Sequence, residues 1–304
     1  MTELSASLFK CVRAPDFLKI PSPYMGLDPY EVMHPSVIYL PEHEGFKGFR
    51  YWFAVTPYID TLHENPCVYC SNDGYDWQLP PGALSPEIEA VPVSGHNSDP
   101  ELFFDKDGKL YCFWRWTDNQ KDQIYVRSTV DGINWSDKLL VLEAKAPLLM
   151  SPAIIKDTYD YRMWTCDANN IYLRNSQDLT SDWSAATPCR LDGSTPGHPW
   201  HLSVFKIQEQ YIAIILFTLT TGGEGNRITV YTSKDGLGWD KGTELIIQST
   251  SDSWDMVPYR ACGILIEQGP KKIIKMYYSG YNQAGRWHTG VTDIDLGPVS
   301  SEIV

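Results

Sequence analysis

The 304-residue chain contains no run of basic residues, and its acidic residues outnumber its basic ones, giving a formal net charge of −13. Nucleic-acid binding draws much of its affinity from lysines and arginines that neutralise phosphates, so we expect no nucleic-acid partner. Long apolar segments are also missing. The longest apolar run covers residues 211–217, whereas a membrane-spanning helix needs about 20 apolar residues, so we expect no membrane partner.

Signals for export, metal binding and nucleotide binding are missing as well. The first ten residues lack the basic patch and apolar run of a signal peptide, which favours a cytoplasmic or phage-associated protein. The seven cysteines include one pair spaced as in a zinc site, Cys67 and Cys70, but no second pair. Neither a Gly-x-Ser-x-Gly motif nor a glycine-rich phosphate loop is present. The sequence therefore predicts reduced thiols, no metal and no other cofactor.

A repeated segment indicates the architecture. It consists of a β-rich run, a Ser or Thr, one further residue, Asp, usually Gly, and then Trp. Its aspartates are Asp73, Asp131, Asp178 and Asp235, with a degenerate copy that lacks the Trp at Asp293. The steps between them are 58, 47, 57 and 58 residues, so five units fill the chain.

Each unit also contains an inner run that follows a proline and a second run rich in aromatic residues. β-Branched and aromatic runs bounded by Gly, Pro, Asn and Asp are typical of strands. Four-stranded units of about 50 residues repeated around an axis form a β-propeller. The sequence therefore predicts an all-β, single-domain, five-bladed propeller over residues 1–304 with four-stranded antiparallel blades. The predicted blades are 30–90, 96–145, 149–192, 198–248 and 254–304, closed by an N-terminal strand near residues 8–12.

Polar and aromatic residues near the start of each inner strand should converge at the axis, where ligands enter a propeller. Adjoining second strands and the last unit contribute further candidates. The residues predicted to contact a substrate are His34, Arg115, Asp167, Trp200, His201, Trp254, Tyr259, Arg260 and Trp287. The arginines would orient a carboxylate or hydroxyl through paired hydrogen bonds, and the tryptophans would stack on sugar rings.

The repeated box, Ser/Thr-x-Asp-Gly-x-x-Trp, resembles the Asp-box of sialidases. That resemblance implies a structural role in which the Asp and the hydroxyl hydrogen-bond the turn, the Gly takes a positive φ and the Trp packs between strands. The five units and the X-Pro inner strands resemble the five-bladed glycoside hydrolases of the arabinanase, xylosidase and fructosidase type. The His-Pro-Ser-Val segment at residues 34–37 is also similar to a motif of bacterial and phage-associated propellers.

The arabinanase type places a catalytic Asp before the first-blade proline, a second Asp that tunes the acid, and a Glu that is the acid. In this chain His34 occupies the first of these positions, Asp99 fits an Asp role, and the fourth blade has His201 and no Glu. Glycoside hydrolysis needs two carboxyl groups, one as acid and one as base or nucleophile. We therefore predict Asp99 and Asp255 as the catalytic carboxylates, with Glu101 as the substitute for either.

The leading hypothesis is a glycoside hydrolase acting on an oligosaccharide or polysaccharide. Two alternatives remain, a non-catalytic glycan-binding propeller and a protein-interaction scaffold. An enzyme predicts a deep funnel with two carboxyl groups about 5–9 Å apart. A binding module predicts exposed rings in a shallow groove, and a scaffold predicts an exposed apolar patch.

Overall fold

The computed structural model of the protein describes residues 13–24, 28–41, 45–58, 63–193, 195–219, 225–245, 252–268 and 271–298. Within these ranges the chain forms nineteen β-strands arranged in five sheets. No helix in this part of the chain is long and apolar enough to cross a bilayer. The predicted all-β, five-bladed propeller is confirmed.

The five sheets are the five blades in chain order. Blade 1 contains β1 (Val32–Tyr39), β2 (Tyr51–Pro57) and β3 (Cys67–Ser71). Blade 2 contains β4 (His96–Phe104), β5 (Leu110–Thr117), β6 (Lys121–Thr129) and β7 (Leu139–Lys145). Blade 3 contains β8 (Met150–Lys156), β9 (Tyr161–Cys166), β10 (Ile171–Ser176) and β11 (Thr187–Pro188). Blade 4 contains β12 (Arg190–Leu191), β13 (His198–Ile207), β14 (Gln210–Thr218), β15 (Arg227–Ser233) and β16 (Gly238–Leu245), and blade 5 contains β17 (Val257–Gln268), β18 (Lys271–Tyr281) and β19 (Trp287–Pro298).

The sequence analysis predicted four strands in every blade, but the number of strands differs between blades. Among the described residues, blades 1 and 5 have three strands, blades 2 and 3 have four, and blade 4 has five, because β12 adds to β16 in parallel. In blade 1, among the described residues, the segment that follows β3 pairs with it through isolated bridges, at Gln78 and at Glu87, and not as a continuous strand. Prolines at 80, 81 and 86 lie in this segment, and proline cannot donate a hydrogen bond to a neighbouring strand.

The N-terminal segment closes the ring on blade 5. Phe17 forms a β-bridge with Gly290, and the backbone N–H of Leu18 donates to the carbonyl of Thr289 over 2.8 Å. The closing strand predicted near residues 8–12 lies outside the described residues. Around the axis, the inner strands β1, β4, β8, β13 and β17 each contact the next, and β17 contacts β1.

Each inner strand has a break in its pairing register close to its beginning. In three blades the residue before a proline takes a left-handed conformation there, with φ of 57° at His34, 52° at Asp99 and 53° at Ser151. Bulges of this kind interrupt the ladder and change the direction of side chains. The side chains of His34 and Asp99 therefore reach a cavity at the axis.

Apolar side chains fill the space between neighbouring blades. Trp52 of β2, for example, packs with Leu102 and Trp114 of blade 2, and Trp164 of β9 packs with Phe217 of β14. Burial of side chains of this size stabilises the fold by roughly 1.5–3 kcal/mol each. Because the apolar cores lie between blades, polar side chains can occupy the axis.

The repeated box forms the same turn at the end of the third strand in several blades. In blade 2, Asp131 Oδ1 accepts hydrogen bonds from the N–H groups of Ile133 and Asn134 over 2.8 and 2.7 Å. Thr129 Oγ1 accepts from the N–H of Gly132, whose φ is 79°. A Cβ atom on Gly132 would lie 2.3 Å from the ring of Trp52. The box of one blade thus packs closely against an aromatic side chain of the preceding blade.

Replacing Gly132 with alanine is expected to lower the free energy of unfolding by about 2–5 kcal/mol. The left-handed backbone costs a residue with a Cβ roughly 1–2 kcal/mol, and overpacking against Trp52 adds roughly 1–3 kcal/mol. Urea unfolding of Gly132→Ala measures this loss. Gly108→Ala is the matched control, because its φ is 78° and nothing lies within 4 Å of its added Cβ. Equal losses in both variants would show that the contact with Trp52 contributes nothing.

Candidate active site

A cavity of about 160 Å³ lies on the axis at the end where the inner strands begin. All five blades contribute to it, as expected for a ring of strands that start near one axis. Its lining consists of Met33, His34, Tyr58, Glu64, His96, Ser98, Asp99, Arg115, Met150, Trp200, His201, Tyr259 and Trp287. Seven of the twelve residues predicted from the sequence are therefore brought together here.

His34, Asp99 and His201 form a buried cluster at the centre of this cavity. Nδ1 of His201 lies 3.1 Å from Oδ1 of Asp99, and Nε2 of His34 lies 3.9 Å from the same oxygen. One nitrogen or oxygen from each of the three residues lies within 4.8 Å of those of the other two. The other ring nitrogen of His34, Nδ1, is 2.9 Å from Oγ1 of Thr56, which orients the ring so that Nε2 faces Asp99.

The protonation states in this cluster leave lone pairs available. Burial lowers the pKa of His34 well below its usual value, and burial also lowers the pKa of His201. Burial disfavours ionisation of Asp99, but the neighbouring His201, His34 and Arg260 outweigh it and hold the pKa of Asp99 well below its usual value. Two neutral imidazoles and one carboxylate therefore face one another, which are the forms in which these groups bind metal ions.

The donor set fits a divalent cation. Nδ1 of His201 contacts Asp99, but Nε2 of the same ring has no hydrogen-bond partner among the described residues, although the side chain is buried. An unpaired buried polar atom is costly, and a cation bound there would satisfy it. The contact of His34 with Thr56 has the form of the outer hydrogen bond that orients a metal-binding histidine. Two histidines and one carboxylate are typical of catalytic metal sites. The sequence analysis predicted no metal, because the three residues belong to three blades and no local spacing relates them.

Two arginines approach Asp99, and each has a second carboxylate partner. Arg115 donates to Asp122 through Nε and Nη2, over 3.0 and 2.8 Å. Arg260, which is fully buried, lies 3.4 Å from Asp99 and 3.5 Å from Glu101. The positive charges around Asp99 are therefore offset by Asp122 and Glu101. Arg115 lines the cavity, whereas Arg260 lies outside its lining.

Glu64 lines the same cavity and was not identified by the sequence analysis. It lies just before β3, and its Oε2 is 3.9 Å from Nδ1 of His34. Burial and the charge of Asp99 raise the pKa of Glu64 well above its usual value. The residue lies in the connection between β2 and β3, and nothing in the local sequence distinguishes it from the neighbouring polar residues His63 and Asn65.

Glu101 is separated from this cavity although it lies two residues after Asp99. It lines a second cavity of about 300 Å³ further along the axis, among largely apolar side chains. Its carboxylate accepts hydrogen bonds from Ser36 Oγ over 2.8 Å and from the N–H of Ile154 over 3.2 Å. Burial raises the pKa of Glu101 to about 7. Residues two apart on a regular strand share a face, but the register break between Ser98 and Glu101 removes that alternation here.

Three other predicted residues lie outside the cavity lining. Asp255 is fully buried and accepts hydrogen bonds from Arg13 Nε, over 2.7 and 2.9 Å, and from the hydroxyl of Tyr278, over 2.7 Å. Trp254 stacks on Tyr278 with ring centroids 5.2 Å apart. Asp167 closes a turn and accepts from the N–H groups of residues 169 and 170, both over 2.6 Å. These contacts give all three residues structural roles.

Asp255→Asn is expected to lower the free energy of unfolding by about 2–4 kcal/mol, because it leaves the buried end of Arg13 without its ionic partner. The activity of the remaining folded protein should stay within about threefold of wild type, since Asp255 is outside the cavity. Thermal unfolding and an activity assay on the folded fraction measure both effects. Glu244→Gln is the control, because its partner Arg227 and Glu244 itself are 47% and 42% exposed. Lost activity without lost stability would instead support the predicted catalytic role of Asp255.

Aromatic side chains form the mouth of the cavity. The ring of Trp287 lies 4.9 Å from that of Tyr259 and 5.8 Å from that of Tyr58, centroid to centroid. Trp200 Nε1 donates to the hydroxyl of Tyr259 over 2.9 Å. Trp200 and Trp287 are partly exposed, so their rings are available to a ligand at the entrance.

No family model matches the sequence. A curated relative, the A type blood N-acetyl-α-D-galactosamine deacetylase of Flavonifractor plautii, is 25% identical over 285 residues, covering 74% of this chain. The match covers 36% of that relative, so the chain spans about a third of its length.

Solved structures show the same fold. A crystal structure of an N-acetylgalactosamine deacetylase from F. plautii, in complex with blood group B trisaccharide, gives a TM-score of 0.84 at 21% identity over 94% of this chain and 95% of that chain. The α-L-arabinanase of Cellvibrio cellulosa, complexed with arabinohexaose, gives 0.60 at 15% identity over 87% and 91%. The resemblance to arabinanase-type propellers is therefore confirmed at the level of the fold, which this chain shares with both a deacetylase and a glycan-cleaving enzyme.

Proposed function

We propose that the protein removes the acetyl group from an N-acetylated amino sugar in a glycan. The observation that carries this proposal is the cluster of His34, Asp99 and His201 with Glu64 in one buried cavity. This donor set and a neighbouring carboxyl group suit the hydrolysis of an amide assisted by a divalent cation. The F. plautii relative is named for the same chemistry, on N-acetyl-α-D-galactosamine.

The roles of the residues follow from their positions. A divalent cation bound by His34, Asp99 and His201 would act as a Lewis acid toward the acetyl carbonyl. Glu64 takes a proton from the attacking water as the water oxygen bonds to the acetyl carbon. It then donates that proton to the sugar nitrogen as the C–N bond breaks, and the products are acetate and the amino sugar. Burial and the charge of Asp99 raise the pKa of Glu64, which favours this second transfer, whereas the charge of a cation bound nearby would favour the ionised form that the first transfer needs.

The remaining cavity residues suit substrate binding. Asp122 accepts hydrogen bonds from two of the three nitrogens of the Arg115 guanidinium, and the third, Nη1, lies 3.8 Å from Asp99 at the cavity wall. That group is positioned to donate to a sugar hydroxyl. A cavity of about 160 Å³ accommodates an acetamido group, while the sugar ring stacks at the mouth on Trp287 and Trp200.

A glycosidase is the second candidate, and one observation favours it. The pKa of Asp99 is held low and that of Glu64 is raised in the same cavity, which is the pattern of a carboxylate base and a carboxylic acid. It ranks second because this pair leaves His34 and His201 without a chemical role.

The product released from N-acetylated oligosaccharides distinguishes these functions. Wild-type protein is incubated with glycans that carry N-acetylgalactosamine or N-acetylglucosamine, and acetate, free amine and new reducing ends are measured. Acetate and amine in equal amounts, without new reducing ends, are expected. New reducing ends without acetate would make the protein a glycosidase, and binding without either product would make it a glycan-binding propeller.

A further inference from the structure

A chain of hydrogen bonds through buried amide and indole groups connects blade 1 with blade 2. Trp114 Nε1 donates to Asn97 Oδ1 over 3.0 Å, and Asn97 Nδ2 donates to Asn65 Oδ1 over 2.8 Å. Asn65 Nδ2 continues the chain to the hydroxyl of Tyr24 over 3.1 Å and to Glu87 Oε1 over 3.4 Å. Trp114 and Asn65 are fully buried, and Asn97 is 2% exposed.

The direction of this chain is determined at the Trp114 end, because an indole N–H can only donate. Trp114 therefore fixes which end of the Asn97 amide faces it. The Asn97 amide in turn fixes the orientation of the Asn65 amide, whose Nδ2 group then points to Glu87. Networks with every member satisfied hold their groups in one arrangement. The amides of Asn65 and Asn97 accordingly have a single orientation.

This chain of hydrogen bonds also joins two residues that lie close in sequence to the catalytic groups. Asn65 directly follows Glu64, and Asn97 lies two residues before Asp99. Asn65 belongs to the connection ahead of β3 in blade 1, and Asn97 to β4 in blade 2. Trp114 lies in the apolar core between these blades. We infer that Asn65 and Asn97 are positioning residues that hold Glu64 at its working distance from the His34–Asp99–His201 cluster.

This inference rests on the proposed function of Glu64, and Asn65→Asp tests it. The variant keeps the acceptor for Asn97 but replaces the donor with a carboxylate oxygen facing Glu87. We expect kcat for acetate release to fall about 10- to 100-fold, the scale of a small misplacement of a catalytic group, while KM stays within about threefold.

The double variant Asn65→Asp/Glu87→Gln restores a donor opposite the new carboxylate, so kcat should return to within about threefold of wild type. Asn72→Asp, on an exposed side chain that accepts from the N–H of Arg50, is the control and should behave as wild type.

Hydrogen exchange of the peptide covering residues 63–71 gives a readout that does not need activity. Exchange there should rise at least about tenfold in Asn65→Asp and return in the double variant, with β13 unchanged. Where Asn65→Asp fails to fold, Tyr24→Phe removes the hydroxyl that accepts from Asn65 and donates to Glu87, and a smaller effect of the same kind is expected. Unchanged exchange, or a lost kcat that Glu87→Gln does not restore, would overturn the positioning role. An inactive wild type with the expected exchange changes would overturn the proposed function and leave the anchoring of this segment intact.

Discussion

Replacing His201 with alanine is expected to lower kcat/KM for deacetylation by about 10³-fold or more. The substitution removes one of three groups that would hold the cation, and Lewis-acid stabilisation of the transition state is worth several kcal/mol. His201 is buried, and Nε2 of its ring lacks a hydrogen-bond partner among the described residues; the contact of Nδ1 with Asp99 and the ring contacts with His34 and Tyr259 are lost with the ring. Acetate release by wild type and variant measures the change, and calorimetric titration with Mn²⁺ or Zn²⁺ measures the loss of the site.

His198→Ala is the matched control. His198 begins the same strand, lies outside the cavity lining, and contacts the carbonyl of Ala168 through Nδ1 over 2.7 Å. This variant should keep wild-type activity and cation binding. Treatment of wild type with a chelator should abolish acetate release, and a divalent cation should restore it. Full activity after chelation, or in His201→Ala, would exclude a cation at this cluster.

Glu64→Gln is expected to lower kcat by about 10²- to 10⁴-fold, the usual contribution of a general acid–base group. Glutamine keeps the size of the side chain but cannot carry a proton from the water to the sugar nitrogen. KM and stability should change little, because the buried carboxyl, with its raised pKa, loses no ionic partner when it becomes an amide. Single-turnover assays with saturating substrate measure the chemical step directly.

Glu89→Gln serves as the control for the loss of a carboxylate, since Glu89 pairs with Arg127 over 3.0 Å away from the cavity. Glu101→Gln provides the decisive comparison with the assignment made from the sequence. If Glu101→Gln were inactive and Glu64→Gln active, the proton transfer would belong to Glu101, and the cavity described above would not be the reaction site.

The blade repeat could be predicted from the sequence because the signals are local. A box of a hydroxyl, an Asp, a Gly and a Trp specifies one turn through its own backbone hydrogen bonds, as at Thr129 and Asp131. Four such turns, at Asp73, Asp131, Asp178 and Asp235, and the matching step to Asp293 predict five blades, although Asp293 itself lies within β19 and not in a turn. The number of strands in each blade was less predictable, because the outermost position depends on prolines near residue 80 and on the segment that includes Phe17.

The sequence also predicted which inner-strand residues face the axis, including His34, Asp99 and His201, because each lies at or beside an X-Pro step. Glu101, predicted as the substitute for Asp99 or Asp255, faces a different cavity, since the bulge after Asp99 changes the alternation of the strand. The pairing of Asp255 with Arg13 spans 242 residues, and no local pattern indicates it.

The sequence by itself thus determined the turns, the strands and the set of polar residues near the axis, because these depend on neighbours within a few positions along the chain. Only the tertiary structure decided which of these polar residues share one cavity and which make structural contacts elsewhere. Closing the ring brings His34, Asp99 and His201 from three blades to within 4.8 Å, adds Glu64 from a connection, and ties Asp255 to the N-terminal segment. These contacts join residues far apart in sequence, and their geometry depends on the angle between blades and on bulges, which residue types alone do not specify.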